Sequence, residues 1–254
     1  MNVGLRKMIA LLGGVVVLAG MVGPVFAGQG EQVFAQAVKL YQAGDYAKSI
    51  ELNERLIKEI GVESAAVYFN LGNSYFKRGE LGRAILSFLR AQRIAPRDAD
   101  IKQNLSFARQ SVERYEAEKK MPDTLRWLAI FRFLSDNELK WLVALAIMVT
   151  GSVFLAGLYT GLPRKRVVLV TVSSCVFTIY VFIAYAAGFV DANGSSVVLK
   201  KVDARFEPTG QATVYFKVSE GEELKIIRHK DGWTKVERGD GRQGWVPAET
   251  AGEI

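Results

Sequence analysis

The sequence predicts a multidomain membrane protein built from an all-α repeat module, a transmembrane helical hairpin and a small all-β barrel. Three observations carry this. Two long apolar runs, Trp141 to Leu162 and Val167 to Val190, are separated only by Pro163-Arg164-Lys165-Arg166. Upstream, aromatic and aliphatic residues recur at helical spacing around glycine turns at Gly44 and Gly79, a period of 35. Downstream, short alternating runs are punctuated by glycines and Asp-Gly pairs, the pattern of β-hairpins.

Each apolar run exceeds 20 residues without a charge. At about 1.5 Å per helical residue, each crosses a hydrocarbon core of roughly 30 Å. Residues 139–162 and 167–190 are therefore read as spanning helices and 163–166 as the loop between them. Arg164, Lys165 and Arg166 set the topology, because short basic loops stay on the cytoplasmic side. The segments on either flank then share the opposite side. The N-terminus agrees: Arg6-Lys7, an apolar stretch from Met8 to Val22, and Pro24-Val25-Phe26-Ala27 form a secretory signal pattern with a cut after Ala27. An uncleaved anchor is the alternative, and in either case residues 28–138 are exported. No cysteine follows that stretch, which argues against a lipoprotein.

The formal charge of +7 is not a nucleic-acid signature once it is divided along the chain. Residues 28–122 carry 15 basic and 12 acidic side chains, and residues 191–254 carry 10 and 11. Much of the excess sits beside the membrane segments, where it orients the chain and meets anionic lipid. Cys175 is the only cysteine, so no disulfide forms within one chain and each soluble part relies on its apolar core.

In residues 65–96, Tyr68, Leu71, Gly72, Tyr75, Gly79, Ala84, Phe88, Ala91 and Pro96 hold the spacing of two antiparallel helices. Gly72 and Ala84 permit close approach, Gly79 makes the turn and Pro96 stops the second helix. This unit resembles a tetratricopeptide repeat. A weaker copy lies upstream, with Gly44-Asp45-Tyr46 in register with Gly79-Glu80-Leu81 and Ser49 in place of the packing alanine. Ala99 to Lys120 reads as a capping helix, so residues 28–122 form two repeats and a cap. The resemblance implies a peptide-binding groove along the first helix of each unit, at Phe34, Tyr41, Phe69, Asn73, Phe76, Lys77, Gln103 and Phe107. An aromatic stripe at helical spacing also suits a core, and both readings stand at this point.

Between repeat and membrane, within residues 123–138, Leu125 to Leu134 is too short to span and suits an interfacial helix, with a buried connecting helix as the alternative. Ser135 and Glu138 have the spacing of a capping box. After Asn193, alternating runs occupy Ser196 to Lys201, Thr213 to Val218, Glu223 to Arg228, Trp233 to Arg238 and Gln243 to Val246. The segments Gly221 to Ile227, Gly232 to Val236 and Gly241 to Val246 resemble the bacterial SH3-like domain, which implies an independently folding barrel over residues 195–254. Trp233 is the candidate surface aromatic for peptide binding, while Trp245 is placed in the core.

No nucleophile with its base, phosphate loop or metal-ligand cluster has the needed spacing. His229 beside Asp231-Gly232 reads as a turn residue, and Gly239 to Gly244 lacks the following helix that phosphate binding needs. Thr171, Ser173, Ser174 and Cys175 read as packing residues of the second membrane helix. No cofactor or metal is expected, nor an enzymatic activity. The order of modules resembles the BatE family of the aerotolerance operon. That resemblance implies a scaffold in an envelope complex, with von Willebrand A-domain membrane proteins and an AAA+ ATPase as associated partners, and it carries no catalytic residues. The resulting expectation is a non-enzymatic adaptor on the outer, periplasmic face of the bacterial cytoplasmic membrane. A cell-wall sensor binding peptidoglycan through the SH3-like domain, and an accessory subunit of a membrane enzyme or transporter, are the alternatives.

Overall fold

The computed structural model describes residues 27–112, 131, 133–159 and 163–254. The signal segment up to residue 26, most of the expected interfacial helix and residues 113–122 lie outside them; the capping helix expected over Ala99 to Lys120 ends at Gln110, with Ser111 as its C-cap. Five helices form the repeat module: α1 (Ala27–Gln42), α2 (Tyr46–Lys58), α3 (Ala65–Lys77), α4 (Leu81–Ile94) and α5 (Ala99–Gln110). The α1–α2 and α3–α4 turns are built alike. Gly44 and Gly79 take φ of 82° and 79°, and the next N–H, of Asp45 or Glu80, returns to the carbonyl of Leu40 or Tyr75. A left-handed glycine with this six-to-one bond is the Schellman ending, so both helix pairs reverse by the same device. Ser49 and Ala84, in register behind these turns, are both fully buried.

Ile50, Leu71, Tyr75, Ala84, Ile85, Phe88, Leu89, Leu105 and Ala108 make the repeat core. Phe88 fills the space over Gly72, where a Cβ would stand 2.7 Å from two ring carbons. Ser49 and Ser74 meet between α2 and α3, their hydroxyls 3.0 Å apart, with Asn53 Nδ2 donating to the Ser49 carbonyl.

Helices α6 (Asp136–Tyr159) and α7 (Arg164–Asn193), of 24 and 30 residues, are long and apolar enough to cross a membrane, and they pack on each other. The capping box forms as the spacing requires: Ser135 N–H donates to Glu138 at 2.8 Å and Glu138 N–H donates to Ser135 Oγ at 3.3 Å. Hydroxyls join the pair at mid-length, with Thr150 Oγ1 2.7 Å from Ser174 Oγ and 2.9 Å from Thr178 Oγ1. Most of the expected loop at 163–166 is helical. Arg164, Lys165 and Arg166 form the first turn of α7, begun by Pro163, whose carbonyl accepts from Arg166 N–H at 2.8 Å. An exposed first turn tolerates the unfavourable dipole because water and salt screen it.

The C-terminal module is one antiparallel sheet in the order β3-β2-β6-β5-β4-β1-β7. Its strands are β1 (Ser195–Val198), β2 (Val202–Arg205), β3 (Val214–Val218), β4 (Glu223–Lys230), β5 (Trp233–Glu237), β6 (Gln243–Pro247) and β7 (Ala251–Glu253). Asp231 and Gly232, with φ of 48° and 79°, make the β4–β5 turn that the Asp-Gly pair predicts. The run Ser196 to Lys201 ends as a strand at Val198, and β2 and β7 are strands that alternation alone did not reveal. Both are short, three and four residues, and their pairing is decided by neighbours rather than by pattern. Val198, Ala204, Phe216, Val218, Leu224, Val236 and Val246 fill the interior.

The barrel does not stand apart from the repeat. Strands β1 and β7 lie against α4, and Val197 belongs to the repeat core, with Leu199 and Ile254 packed on it. This differs from the expectation of an independent barrel over 195–254, because one side of it is covered by the repeat rather than by water.

Candidate functional site

The expected groove residues fall into two groups. Helix α1 touches α3, and α3 touches α5, so the first helices of the units share one layer. On it Phe107 is 59 % exposed and tilts against half-buried Phe76, with ring centroids 5.4 Å apart. Lys77 and Gln103 are exposed beside them in sequence register, and Asn73 is half-buried. Phe69 leans on Phe88 at 5.9 Å and, like Phe76, packs against the core. Tyr41 pairs with Tyr46 across the first turn at 5.4 Å, and Phe34 is half-buried on α1. Thus Lys77, Gln103 and Phe107 are the exposed part of this surface, Asn73 is half-buried, and Phe76 and Phe69 are half-buried rings that also pack against the core.

This surface is held from behind by a hydrogen bond from Tyr75 of α3 to Glu54 of α2. Burial, and then that bond, push the Tyr75 phenol up. Burial also works to raise the Glu54 carboxyl, but hydrogen bonds from Lys58 and Tyr75 outweigh it and hold Glu54 below its usual value.

On the barrel, Trp233 is half-buried and level with Lys230 and Pro247 on the neighbouring strands. Trp245 is only 4 % exposed and counts with the buried core, as expected, although it stands apart from the cluster around Val236 and Val246. Strand alternation sends Gly244 and Val246 inward and Trp245 outward, where Arg228 covers its ring at 5.1 Å from the centroid. The burial expected for this tryptophan is present, and Arg228 stacks on one face of the indole. Inside the same module Arg238, 5 % exposed, faces Glu222 at 3.7 Å and bonds Asp240, a contact that lowers the Asp240 carboxyl to about 2.

The residues that join the modules were not visible in the spacing. A Cβ at Gly82 would lie 2.3 Å from the Val198 carbonyl oxygen, one at Gly221 2.7 Å from Val112, and one at Gly252 2.5 Å from Leu86. The Gly82 N–H donates to the Glu220 carboxylate at 3.0 Å, so an acid of the barrel caps the N-terminus of α4, where Glu80 makes no side-chain cap. Arg109, 14 % exposed, holds Glu223 through two bonds of 2.6 and 2.9 Å. At the other end of α4, Arg90 donates to the Glu253 carbonyl and Arg93 to that of Ile254. Arg93 also pairs with Asp136 of α6 at 2.8 Å, and Arg97 pairs with Glu138. The spacing of Arg90 and Arg93 near the end of α4, with Arg97 just past it, was the available signal. Nothing in it names the partners, which lie over 40 residues away.

Among the described residues no group of three or more metal-ligating side chains is assembled. Comparison with known families matches residues 200–251 to the bacterial SH3 domain and residues 65–98 to the tetratricopeptide repeat. No curated protein matches the chain. The helical layer is therefore a tetratricopeptide-like module and the C-terminal sheet an SH3-like domain, two binding folds joined through α4 beside a pair of apolar helices.

Proposed function

We propose that this chain is a non-enzymatic adaptor, anchored by α6 and α7 in the bacterial cytoplasmic membrane and presenting both binding modules on its outer face. The observation that carries the reading is the division of labour in the repeat. The barrel and α6 dock chiefly on α4, a second-layer helix, and the barrel reaches the first-helix layer at the end of α5 through Arg109; among the described residues Lys77, Gln103 and Phe107 stay exposed, with Phe76 half-buried beside them. The adaptor works in an envelope stress or aerotolerance complex of the BatE kind, whose von Willebrand A-domain proteins and AAA+ ATPase are its candidate partners. Recognition of peptidoglycan through the SH3-like domain is the second reading, supported by the bacterial SH3 match and the partly accessible Trp233.

Photocrosslinkers at Lys77 and Gln103 in the full chain are expected to capture one protein in cells. Phe107→Ala should reduce that capture about tenfold, as loss of one exposed aromatic anchor worth about 1.4 kcal/mol would. Its melting temperature should hardly move, because the ring already faces solvent. Unchanged capture would refute the groove, and retention of purified wall material that depends on Trp233 would favour the second reading.

Topology is open to direct measurement. A reporter active only outside the cytoplasm should work when fused after Lys120 or Ile254 and stay silent at Pro163. Neutralising Arg164, Lys165 and Arg166 should weaken that bias. A silent C-terminal fusion would sink the arrangement.

A further inference from the structure

Among the described residues, the β4–β5 hairpin carries cations that form no ion pair with an acid. Arg228 stands directly opposite Lys235, and Lys230 opposite Trp233 at the tip. Like charges in direct register destabilise a sheet, and Asp231 is the acid in the turn between them. Among the described residues, Arg228, Lys230 and Lys235 form no ion pair, although Arg228 lies over Trp245. Arg228, His229 and Lys230 are exposed in sequence, and Ile227 before them is 41 % exposed.

One contact places the base of this hairpin at the end of α7, and a chain of contacts links it to the start of α6. Ile226 N–H donates at 2.6 Å to the carbonyl of Gly194, the residue that follows α7. From the other side, His229 Nε2 lies 3.7 Å from the Glu253 carboxylate. Next to Glu253, the Ile254 carbonyl accepts from Arg93, and the same guanidinium holds Asp136, the first residue of α6.

We propose that the hairpin rests on the headgroup layer, with Arg228, Lys230 and Lys235 against the phosphates of anionic phospholipids and Ile227 and Trp233 at the interface. The inference rests on the membrane reading of α6 and α7. A basic segment next to a membrane helix is drawn to anionic headgroups over a Debye length, about 10 Å at 0.1 M salt, and amphipathic aromatics collect at the same depth. An acidic protein would satisfy the cations equally. The direct bond to the residue that follows α7 favours lipid, which is within reach whatever else is bound.

The test uses the full chain with Cys175→Ser and Asp231→Cys, labelled at the new thiol with a fluorophore, in nanodiscs that contain headgroup-spin-labelled lipid. In phosphatidylglycerol discs the fluorophore should be quenched. Quenching should fall to the phosphatidylcholine level at high salt, and likewise when Arg228→Glu, Lys230→Glu and Lys235→Glu are combined. The salt arm keeps the test sharp if the triple variant folds poorly. A label unquenched in phosphatidylglycerol, or quenched alike in both lipids and at all salt concentrations, overturns the proposal and leaves the cations to an acidic protein. A chain that never enters the discs overturns the membrane reading and this inference with it.

Discussion

Gly82→Ala is expected to destabilise the protein by about 2–3 kcal/mol, although alanine is the better helix former by about 0.8–1.0 kcal/mol. The sign turns on what the new methyl meets. Its Cβ would lie 2.3 Å from a carbonyl oxygen and 2.8 Å from Leu199 Cα, both backbone atoms of the docked barrel. Side chains can rotate away from a methyl group; a strand end fixed by its sheet cannot. Relief requires β1 to leave α4, which exposes Val197 and Leu199 and breaks the Gly82 to Glu220 bond. Hydrogen exchange should show lost protection at β1 and β7 first, with a lower melting temperature for the whole chain. Gly44→Ala is the control. Nothing lies within 4 Å of that site, so its left-handed φ of 82° costs about 1–2 kcal/mol locally and leaves the barrel docked. Wild-type protection of β1 and β7 in Gly82→Ala would show that the two modules are not joined through this contact.

Phe88→Ala should cost more, about 3–5 kcal/mol, the range for truncating a large buried aromatic. The ring is 1 % exposed, lies over Gly72 and touches Phe69, so its loss opens the contact between the two helices of the matched repeat. Because the same core receives Val197, the barrel should loosen with the helices in one transition. A double-mutant cycle identifies the mechanism. Gly72→Ala alone should clash with the ring, whereas Gly72→Ala combined with Phe88→Leu should be less harmful than the sum of the two, by about 0.5–3 kcal/mol. Additive losses would mean that Gly72 is small for some reason other than this ring. Separate melting of barrel and helices in Phe88→Ala would contradict the shared core.

The local devices were legible because each is written in a few adjacent residues. A glycine that must take positive φ, an Asp-Gly pair between alternating strands and a serine three residues before a glutamate each satisfy their hydrogen bonds within one turn, and all appear where the spacing puts them. The groove was legible in part. Helical register places Phe69 and Phe76 on the first-helix layer, but register does not say which ring finds a neighbour, and Phe69 found Phe88. Trp245 shows the same limit, since alternation could have given its face but not the guanidinium that lies over it.

By itself, the sequence determined the three modules, their order and the two apolar helices, because periodicity, turn chemistry and hydrophobic length are local properties. Only the tertiary structure decided that the modules are not beads on a string. Their junction depends on side chains far apart in the chain, Arg109 with Glu223 and Arg93 with Asp136, and on glycines whose missing Cβ atoms matter only once another backbone lies against them. A vacancy of that kind leaves no pattern in the sequence, since the atoms that would clash belong to a segment more than 100 residues away.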